Sequence, residues 1–427
     1  MRFFYTLIFY LAVPFILLRL LWRSFAAPAY AKRWSERFAF FRPLSTNDKT
    51  ENKKVIWIHT VSVGEFIAAL PLIRQLQARG DFQLVVTTTT PTGSERVRAS
   101  LGESVFHVYA PYDLPDVLAR FIRRIKPSLL LIMETELWPN TLAACAKRNI
   151  SSVLVNARMS EKSARGYEKF SLLTRPMLQN LTKVLVQNKT DAERFHRLGL
   201  SASQTEITGN IKFDLTLADE LCSNANQLKQ QWSRNGECLV WIAASTHQGE
   251  DEIILDAFAQ CLKNPELKNL RLVLVPRHPE RFASVANLCA SRGFVVSKRS
   301  EKSVDARTQI IIGDTMGELL LMLGASDIAF VGGSLVPNGG HNFIEPAAWQ
   351  LPLLSGEHVF NFAEVARLLV EADALTLVAS AQALANEVEL LATNATERNK
   401  RGRAALQVAN SNRGALAKTI KSIEQLL

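Results

Sequence analysis

One glycine-dense stretch decides the fold: Gly332-Gly333-Ser334-Leu335-Val336-Pro337-Asn338-Gly339-Gly340-His341-Asn342-Phe343-Ile344-Glu345-Pro346. It follows an apolar run, Ile328 to Val331, that predicts a strand, and a helix is expected to open near Asn342. Glycines let backbone N–H groups approach a phosphate, and the helix aims its positive dipole end at the same place. Glu345, in the first helical turn, is then suited to accept hydrogen bonds from the two hydroxyls of a ribose. A surface turn with a helix-stabilising acid explains the segment equally well.

A second strand-turn-helix unit lies near the other end of the chain. Val55 to His59 predicts a buried strand, Ser62 to Glu65 a turn, and Phe66 to Leu76 an apolar helix. The helix dipole favours the charged form of Glu65, which keeps this acid available as a general base. The commoner alternative is a capping box formed by Ser62 and Glu65. Two such units suggest two sheets that face one cleft.

Composition indicates a globular protein of about two to three domains. The chain has 427 residues, 48% of them apolar, and five scattered cysteines with no C-x-x-C pair. Neither a disulfide framework nor a zinc site is expected, which indicates a reducing compartment. The net charge of +10 favours an acidic partner. An anionic membrane face is the first candidate, because no zinc-finger spacing, RNP-like motif or basic repeat supports nucleic acid.

The first segment predicts a membrane anchor. Phe3 to Trp22 is almost wholly apolar, and as a helix it spans about 30 Å, enough for a bilayer core. The basic residues that follow would keep the rest of the chain in the cytoplasm by the positive-inside rule. A cleaved signal peptide is the rival interpretation, because Ala29-Tyr30-Ala31 resembles a cleavage site. We predict a transmembrane anchor over residues 1–23 and an interfacial segment with a linker over 24–54.

From Val55 onward, short β-rich runs alternate with helical stretches, which is typical of a parallel sheet wound on both faces. The pattern restarts after a polar helical stretch, Asp219 to Asn235. We predict an N-terminal Rossmann-like acceptor domain over 55–215 and a C-terminal Rossmann-like nucleotide-sugar domain over 216–427, whose final helices pack back. Two such halves describe an α/β protein of the GT-B glycosyltransferase architecture.

Absent motifs narrow the class further. The chain has no G-x-x-x-x-G-K-[ST], G-x-G-x-x-G, G-x-S-x-G or H-E-x-x-H. Kinases, dehydrogenases, serine hydrolases and zincins are therefore excluded. No two aspartates are two residues apart, so the D-x-D clamp of metal-dependent glycosyltransferases is missing as well. A mechanism without a metal is favoured.

Charged residues follow several predicted strands. Met133 to Asn140 comes after an apolar strand, at the edge where open α/β sheets bind ligands. Glu136 there positions an acceptor or a neighbouring lysine, or else belongs to a capped turn. Arg158 also follows a strand and suits a carboxylate or phosphate. Lys212, at the junction between the domains, would reach across the cleft.

Two turns in the second half suit the donor side of such a cleft. Arg277, in the segment Pro276 to Arg281, places a guanidinium at a strand end, where it fits a phosphate. Gly313 to Glu318 is a strand-to-helix turn whose backbone amides could touch a base or a phosphate. A structural turn explains either segment taken alone.

Together these motifs resemble the Kdo transferases (3-deoxy-D-manno-oct-2-ulosonic acid transferases) of lipopolysaccharide assembly. Ser-Val-Gly-Glu, Glu-Leu-Trp-Pro-Asn, Gly-Asn-Ile-Lys-Phe-Asp, Pro-Arg-His-Pro-Glu-Arg and Gly-Gly-His-Asn-Phe-Ile-Glu-Pro all occur in the family's order. The resemblance implies an inverting glycosyltransferase on the cytoplasmic face of the inner membrane. Such an enzyme moves Kdo from CMP-Kdo to a lipid A precursor, lipid IVA.

The resemblance also implies roles for single residues. Glu65 matches the family's general base, and Glu136 and Lys212 match positions that support the transition state. The segments that match the family's CMP-binding ones contain Pro276, Arg277, Met316, Gly317, Glu318, Asn342, Phe343, Ile344 and Glu345. Arg158, from its place after a strand, is also predicted to bind substrate. No metal or other cofactor is expected. The expected partners are CMP-Kdo, the lipid A precursor and anionic lipids of the inner membrane, and nucleic acid is not expected.

Two other functions stay open on the sequence alone. The first is a membrane-anchored GT-B transferase that uses another nucleotide sugar, such as a UDP donor, on a lipid acceptor. The second is a membrane-anchored nucleotide-binding or scaffolding protein that keeps the fold without the chemistry.

Overall fold

The computed structural model of the protein describes residues 1–44, 53–301 and 304–427 and forms two compact units. Unit 1 consists of Met1–Asp214 and Arg413–Leu427, and unit 2 of Leu215–Asn412. Each unit contains one seven-stranded sheet whose neighbouring strands are all parallel. The predicted pair of Rossmann-like α/β domains is therefore confirmed. Residues 45–52 of the predicted linker lie outside the described part of the chain.

The strands of unit 1 are β1 (Lys54–His59), β2 (Phe82–Thr88), β3 (Phe106–Tyr109), β4 (Leu129–Met133), β5 (Ser151–Ala157), β6 (Lys183–Val186) and β7 (Thr205–Ile207). They lie in the order β3-β2-β1-β4-β5-β6-β7. Chain order reverses between β1 and β4, and open α/β sheets bind ligands beyond the carboxyl ends of the strands at such a switch point. Trp57 packs in one core cluster and its neighbours Ile56 and Ile58 in another, so both faces of the sheet are covered.

The helices of this part of the chain are α1 (Arg2–Ala26), α2 (Trp34–Arg37), α3 (Val63–Arg79), α4 (Pro91–Leu101), α5 (Pro115–Ile125), α6 (Pro139–Ala146), α7 (Glu161–Lys169), α8 (Ser171–Gln179) and α9 (Lys189–Arg197). α5 shows why the helices pack on the sheet. Its apolar residues recur at helical spacing and are buried, whereas Arg123 and Arg124 lie in its last turn, where cations favour the helix dipole.

The first half of α1 packs against the rest of unit 1. Tyr5 Oη donates to Asp113 Oδ2 over 3.0 Å, Tyr10 Oη donates to Asp116 Oδ1 over 2.5 Å, and Phe9 packs against the core. Among the described residues, α1 is the helix long and apolar enough to cross a membrane, with a mean hydropathy of 2.0. Its large apolar side chains away from these contacts are exposed, and they include Phe3, Phe4, Leu7, Ile8, Leu11, Phe15, Leu18, Trp22 and Phe25.

The strands of unit 2 are β8 (Val240–Thr246), β9 (Arg271–Pro276), β10 (Val296–Lys298), β11 (Ile310–Ile312), β12 (Ile328–Val331), β13 (Leu353–Ser355) and β14 (Leu375–Leu377). They lie in the order β10-β11-β9-β8-β12-β13-β14, so the switch point falls between β8 and β12. Every residue of β8, β9 and β12 is buried, as expected for a parallel sheet covered on both faces.

The helices of unit 2 are α10 (Asp219–Trp232), α11 (Asp251–Cys261), α12 (Phe282–Ser291), α13 (Leu319–Gly324), α14 (Ile344–Ala348), α15 (Ala363–Glu371), α16 (Ala381–Thr393) and α17 (Ala395–Ser411). The last helix, α18 (Ala415–Glu424), belongs to unit 1. Asp214 holds its start, because the carboxylate accepts the N–H groups of Gly414 over 2.6 Å and of Leu416 over 2.7 Å. Leu416 and Ile423 then pack in the core of unit 1.

Candidate active site

Glu65 lies in the first turn of α3, directly beyond the carboxyl end of β1. Its N–H donates to Ser62 Oγ over 3.3 Å, and Ser62 Oγ donates back to Glu65 Oε1 over 3.1 Å. The second carboxylate oxygen accepts the N–H of Val61 over 2.7 Å. This is a close variant of the predicted capping box, which normally ends on the N–H of the cap residue itself. Capping and chemistry are compatible here, because the cap fixes the carboxylate at the switch point.

The pKa of Glu65 is raised to about 7. Burial contributes most, and the negative charges of Glu136 and Glu134 raise the pKa further, whereas the hydrogen bond from Val61 lowers it. The hydrogen bonds from Val61 and Ser62 at the helix start favour the charged form, as expected, but burial outweighs them. A carboxylate with a pKa near 7 is better matched to proton abstraction at neutral pH than an ordinary glutamate.

Glu134, the residue after β4, binds two cations. Lys212 Nζ donates to Glu134 Oε1 over 2.7 Å, and Arg158 Nε donates to Oε2 over 2.9 Å. Burial raises the pKa of this carboxyl, but the charges of Lys212 and Arg158 outweigh burial, so the pKa falls below its ordinary value. The backbone of Glu134 has a φ of 57°, a conformation that costs energy for a residue with a side chain. Strain of this kind is concentrated at functional sites.

The contacts of Glu134 correct part of the sequence analysis. Lys212 was expected to reach across a cleft, but its ammonium is bound by a carboxylate of its own unit. Arg158 pairs with a carboxylate, one of the two alternatives. Sequence reasoning chose Glu136 and missed Glu134. Glu136 is half-buried nearby, and its pKa is raised by burial and by the charge of Glu134. Its assigned role stays a prediction.

A buried asparagine orders the turn that carries Lys212. The 3-10 turn Ile211–Asp214 follows β7, and the N–H of Ile211 donates to Asn156 Oδ1 over 3.0 Å. Asn156 is fully buried in β5 and has a φ of 55°. Glu65 beyond β1, Glu134 beyond β4 and the two cations that pair with Glu134 form one charged cluster at the carboxyl edge of the sheet.

The glycine-dense turn of unit 2 wraps around a buried carboxylate. Glu250 is fully buried and accepts the N–H groups of Gly333 (2.6 Å), Ser334 (2.9 Å), Leu335 (2.9 Å) and His247 (2.8 Å). The protein's own carboxylate therefore occupies three amides of the stretch that was expected to approach a phosphate, whereas the binding role of Asn342 to Glu345 stays a prediction. Glu250 was also missed by the sequence analysis. The available signal was a run of three acids, Glu250 to Glu252, shortly after an apolar run.

Replacing Glu250 by glutamine is expected to destabilise unit 2. The amide keeps the shape but removes the charge and turns an NH₂ group toward backbone donors, which leaves buried N–H groups unsatisfied at a cost of about 1–3 kcal/mol. Thermal unfolding should show a Tm several degrees lower than that of the parent protein. Glu252→Gln is the matched control, because Glu252 is exposed on the same helix. Equal Tm values for the two variants would contradict the proposed role of Glu250.

The second half of the same turn leads into α14. Asn342 Oδ1 accepts the N–H of Ile344 over 3.1 Å, and Asn342 Nδ2 donates to Glu345 Oε1 over 2.9 Å. Glu345 lies in the first turn of the helix, as predicted. The side chains of Phe343 and Ile344 are buried in the core. Of the four predicted binding residues here, Asn342 and Glu345 therefore offer polar side chains, whereas the other two offer only their backbone.

The two arginines of the segment after β9 have different surroundings. Arg281 forms an ion pair with buried Asp251 and donates through Nη1 to the carbonyl oxygen of Thr246 over 2.8 Å, so its role is structural. Arg277, next to the strand residue Pro276, is exposed. No carboxylate of the described residues lies within ion-pair distance of Arg277. Its guanidinium is therefore available to a ligand anion.

The remaining predicted segment, Met316 to Glu318, lies before α13. Met316 is 66% exposed, and Gly317 has a φ of 85°, which a residue with a side chain rarely adopts. Glu318 is held by Arg299, whose guanidinium lies 3.1 Å from its carboxylate, and by Thr315 Oγ1 at 2.6 Å. The part of the chain that the structure describes contains no group of three or more His, Cys, Asp or Glu side chains able to hold a metal.

Two Rossmann-like units, each with one parallel sheet and its own switch point, define the fold class as GT-B-type. The fold is similar to that of a glycosyltransferase from Rickettsia africae, with a TM-score of 0.61 and 14% identity over 88% of this chain and 99% of that one. It is also similar to a UDP-GlcNAc 2-epimerase from Neisseria meningitidis, with a TM-score of 0.60 and 14% identity over 87% and 100%. These likenesses concern the fold alone.

Sequence comparison gives the family. A family model described as 3-deoxy-D-manno-octulosonic-acid transferase (kdotransferase) matches residues 32–215. The 3-deoxy-D-manno-octulosonic acid transferase of Haemophilus influenzae is 44% identical over 100% of this chain and 99% of its own. The transferase of that name from Bordetella pertussis is 34% identical over 87% of each chain. The chain belongs to the 3-deoxy-D-manno-octulosonic acid (Kdo) transferase family and is an enzyme.

Proposed function

We propose that the enzyme transfers Kdo from CMP-Kdo to a lipid A precursor, lipid IVA, with inversion at the anomeric carbon. Membership of the Kdo transferase family supports the sugar and the donor. The observation that carries the chemistry is Glu65, whose pKa of about 7 suits a base and which lies at the switch point of unit 1. The negative charges of Glu136 and Glu134 lie close enough to raise that pKa further.

In the proposed reaction, Glu65 takes the proton from a primary hydroxyl of the acceptor. The oxygen attacks the anomeric carbon of Kdo, the bond from that carbon to the phosphate oxygen breaks, and CMP leaves with the electron pair. One displacement of this kind inverts the anomeric carbon. Lys212, positioned by Glu134, supports the charge that develops in the transition state. Arg277 stabilises the departing phosphate, a task that a divalent cation performs in metal-dependent transferases.

We further propose that α1 attaches the enzyme to the cytoplasmic face of the inner membrane, where a lipid acceptor and anionic lipids are at hand. The exposed apolar side chains of α1 and its mean hydropathy of 2.0 support this attachment. Because Tyr5 and Tyr10 are hydrogen-bonded to Asp113 and Asp116, this surface of unit 1 must come as close to the lipid as the helix does.

The product of the reaction tests the proposal. The detergent-purified protein is incubated with lipid IVA and either freshly generated CMP-Kdo or UDP-GlcNAc, and the lipid is read by mass spectrometry. We expect lipid heavier by one or more Kdo residues with CMP-Kdo and unchanged lipid with the UDP sugar. A heavier lipid with the UDP sugar alone would establish a different donor. Unchanged lipid in both reactions, with the protein shown to be folded, would favour a scaffolding role.

A further inference from the structure

Three histidines that the proposed mechanism does not use meet at the carboxyl edge of the unit 2 sheet. His247 follows β8, His278 follows β9, and His341 lies in the turn after β12. The rings of His247 and His341 are nearly parallel, at 7°, with 5.1 Å between their centroids and 2.8 Å between their Nε2 atoms. His278 meets His247 edge-on, with 5.4 Å between the ring centroids. The imidazole of His247 therefore lies between those of His341 and His278 and contacts both, at the carboxyl edge beside the switch point.

The turn backbone supports this cluster directly. A Cβ atom added at Gly333 would lie 3.0 Å from Cδ2 of His341 and 3.4 Å from Cδ2 of His247. Gly333 has a φ of 71°, and its N–H is held by Glu250 over 2.6 Å. Because a buried carboxylate fixes the turn and a glycine lets both rings approach it, the positions of the imidazoles are set before any ligand binds.

Positive charges surround the His247–His341 pair. Burial, the charge of Arg277 and the neighbouring histidines lower the pKa of His341 to about 4. The pKa of His247 is also lowered, first by burial and then by His278, Arg281 and Arg277, although Glu250 acts in the opposite direction. The carboxylate of Glu250 accepts hydrogen bonds from four backbone N–H groups, and Arg281 forms an ion pair with Asp251. The charge of Arg277 thus has no carboxylate partner at ion-pair distance among the described residues.

The hydrogen bond between the two rings limits how many protons they hold. In the neutral pair one Nε2–H donates to the other Nε2, so the donor ring of His247 or His341 has a bare Nδ1. One added proton goes to that Nδ1, leaves the hydrogen bond intact and creates a second Nδ1–H donor. A second added proton would remove the acceptor and break the bond. The pair therefore suits a ligand whose negative charge offsets one proton.

Several other anion-binding groups of this region are already occupied. The amides of Gly333, Ser334 and Leu335 are taken by Glu250, and the first N–H of α14, on Ile344, is taken by Asn342. α14 itself has only five residues. The imidazoles and the guanidinium of Arg277 are side-chain N–H donors at this edge whose described contacts include no acid.

We propose that His247, His278 and His341, together with Arg277, form a receptor for an oxyanion of the nucleotide-sugar donor, and that the His247–His341 pair takes up one proton when the donor binds. This inference rests on the proposed function, which assigns a CMP-sugar donor to unit 2. The oxyanion is either the phosphate of CMP or the carboxylate of the sugar. Both present negative oxygens to N–H donors.

Calorimetry on the detergent-purified protein tests the receptor. CMP and cytidine are titrated at pH 7 in two buffers of different ionisation enthalpy, so that proton uptake is measured along with the dissociation constant. We expect His341→Gln and His278→Gln to weaken CMP binding about 10- to 100-fold, the loss typical of a hydrogen bond to a charged group. Cytidine binding should not change. The parent protein should take up a proton fraction that His341→Gln does not, and ionisation of CMP itself cancels in this comparison.

Two comparisons separate the possible results. His196→Gln is the control, because His196 is exposed on α9 in unit 1, and it should bind CMP like the parent protein. His278 is exposed, so His278→Gln tests the receptor even if His341→Gln folds poorly. Unchanged CMP binding with a raised KM for CMP-Kdo assigns the receptor to the sugar carboxylate. Unchanged values for both ligands overturn the inference alone, whereas a parent protein that does not bind CMP overturns the proposed function as well.

Discussion

Glu65→Gln is expected to lower the rate of Kdo transfer by at least about 10²-fold, the usual contribution of a general base. The protein should still fold, because the amide oxygen can accept the N–H of Val61 and the NH₂ group can donate to Ser62 Oγ, which keeps the helix cap. Glutamine cannot accept the proton of the acceptor hydroxyl. Single-turnover rates, with CMP affinity measured in parallel, check this prediction.

Ser62→Ala is the matched control, because it removes the cap and leaves the carboxylate. Loss of an N-cap side chain costs about 0.5–2 kcal/mol of stability, so this variant should unfold at a lower temperature and keep most of its rate. If Glu65→Gln instead lowers the unfolding temperature and keeps the rate, Glu65 serves the helix and not the reaction. A Glu65→Gln enzyme that retains more than a tenth of the parent rate would likewise mean that Glu65 is not the base.

Glu134→Gln should have the second-largest effect, because it removes a buried carboxylate that accepts from both Lys212 and Arg158. Breaking a buried ion pair from one side typically costs about 3–5 kcal/mol, and we expect about 2–4 kcal/mol because the Arg158 side chain is 41% exposed and stays partly solvated. A misplaced lysine should also lower the rate by about 10²-fold. Denaturant unfolding and single-turnover kinetics measure the two effects.

The effect on stability has a defined pH dependence. The folded-state pKa of Glu134 lies below its ordinary value, so its contribution is fully present above that ordinary value. The contribution is lost as the pH falls through the lowered pKa, and the stabilities of the parent protein and of Glu134→Gln should converge in acid. Lys212→Met combined with Glu134→Gln should recover part of the stability, because the half-buried ammonium is removed together with its carboxylate, while the enzyme stays slow.

Glu136→Gln is the comparison that decides between the two acids after β4. If Glu134 positions Lys212, Glu134→Gln should lose more rate and more stability than Glu136→Gln. A larger loss of rate in Glu136→Gln would restore the role that the sequence analysis gave to Glu136. It would also mean that the ion pair of Glu134 with Lys212 serves the fold alone.

The sheets could largely be predicted from the sequence, because buried parallel strands leave apolar runs of recognisable length. The predicted run Ile328 to Val331 coincides with β12, and the predicted run Val55 to His59 lacks only the first residue of β1. Three strands were missed: β7, β13 and β14. Each has three residues, too few to show a periodic pattern, and β7 and β14 are edge strands.

The candidate site was only partly predictable, for a different reason. Glu65 belongs to a local motif, so its place at a helix start follows from neighbouring residues. The ion pair of Glu134 with Lys212 joins residues 78 positions apart, and the bond from Gly333 to Glu250 joins residues 83 apart. Burial, which raises the pKa of Glu65 against the helix dipole, likewise depends on the tertiary structure. Neither these long-range contacts nor the burial can be predicted from the spacing of residues in the sequence.

The pH dependence of a single turnover tests the central claim, that Glu65 is the base, most directly. Rates of Kdo transfer are measured from about pH 5.5 to 8.5 with the parent protein and with Glu65→Gln. Because the base must be deprotonated and its pKa is about 7, the parent rate should fall about tenfold per pH unit well below pH 7 and level off above it. The residual rate of Glu65→Gln should lack that limb. A parent profile that is flat through this range, or a Glu65→Gln profile with the same limb, would contradict the assignment.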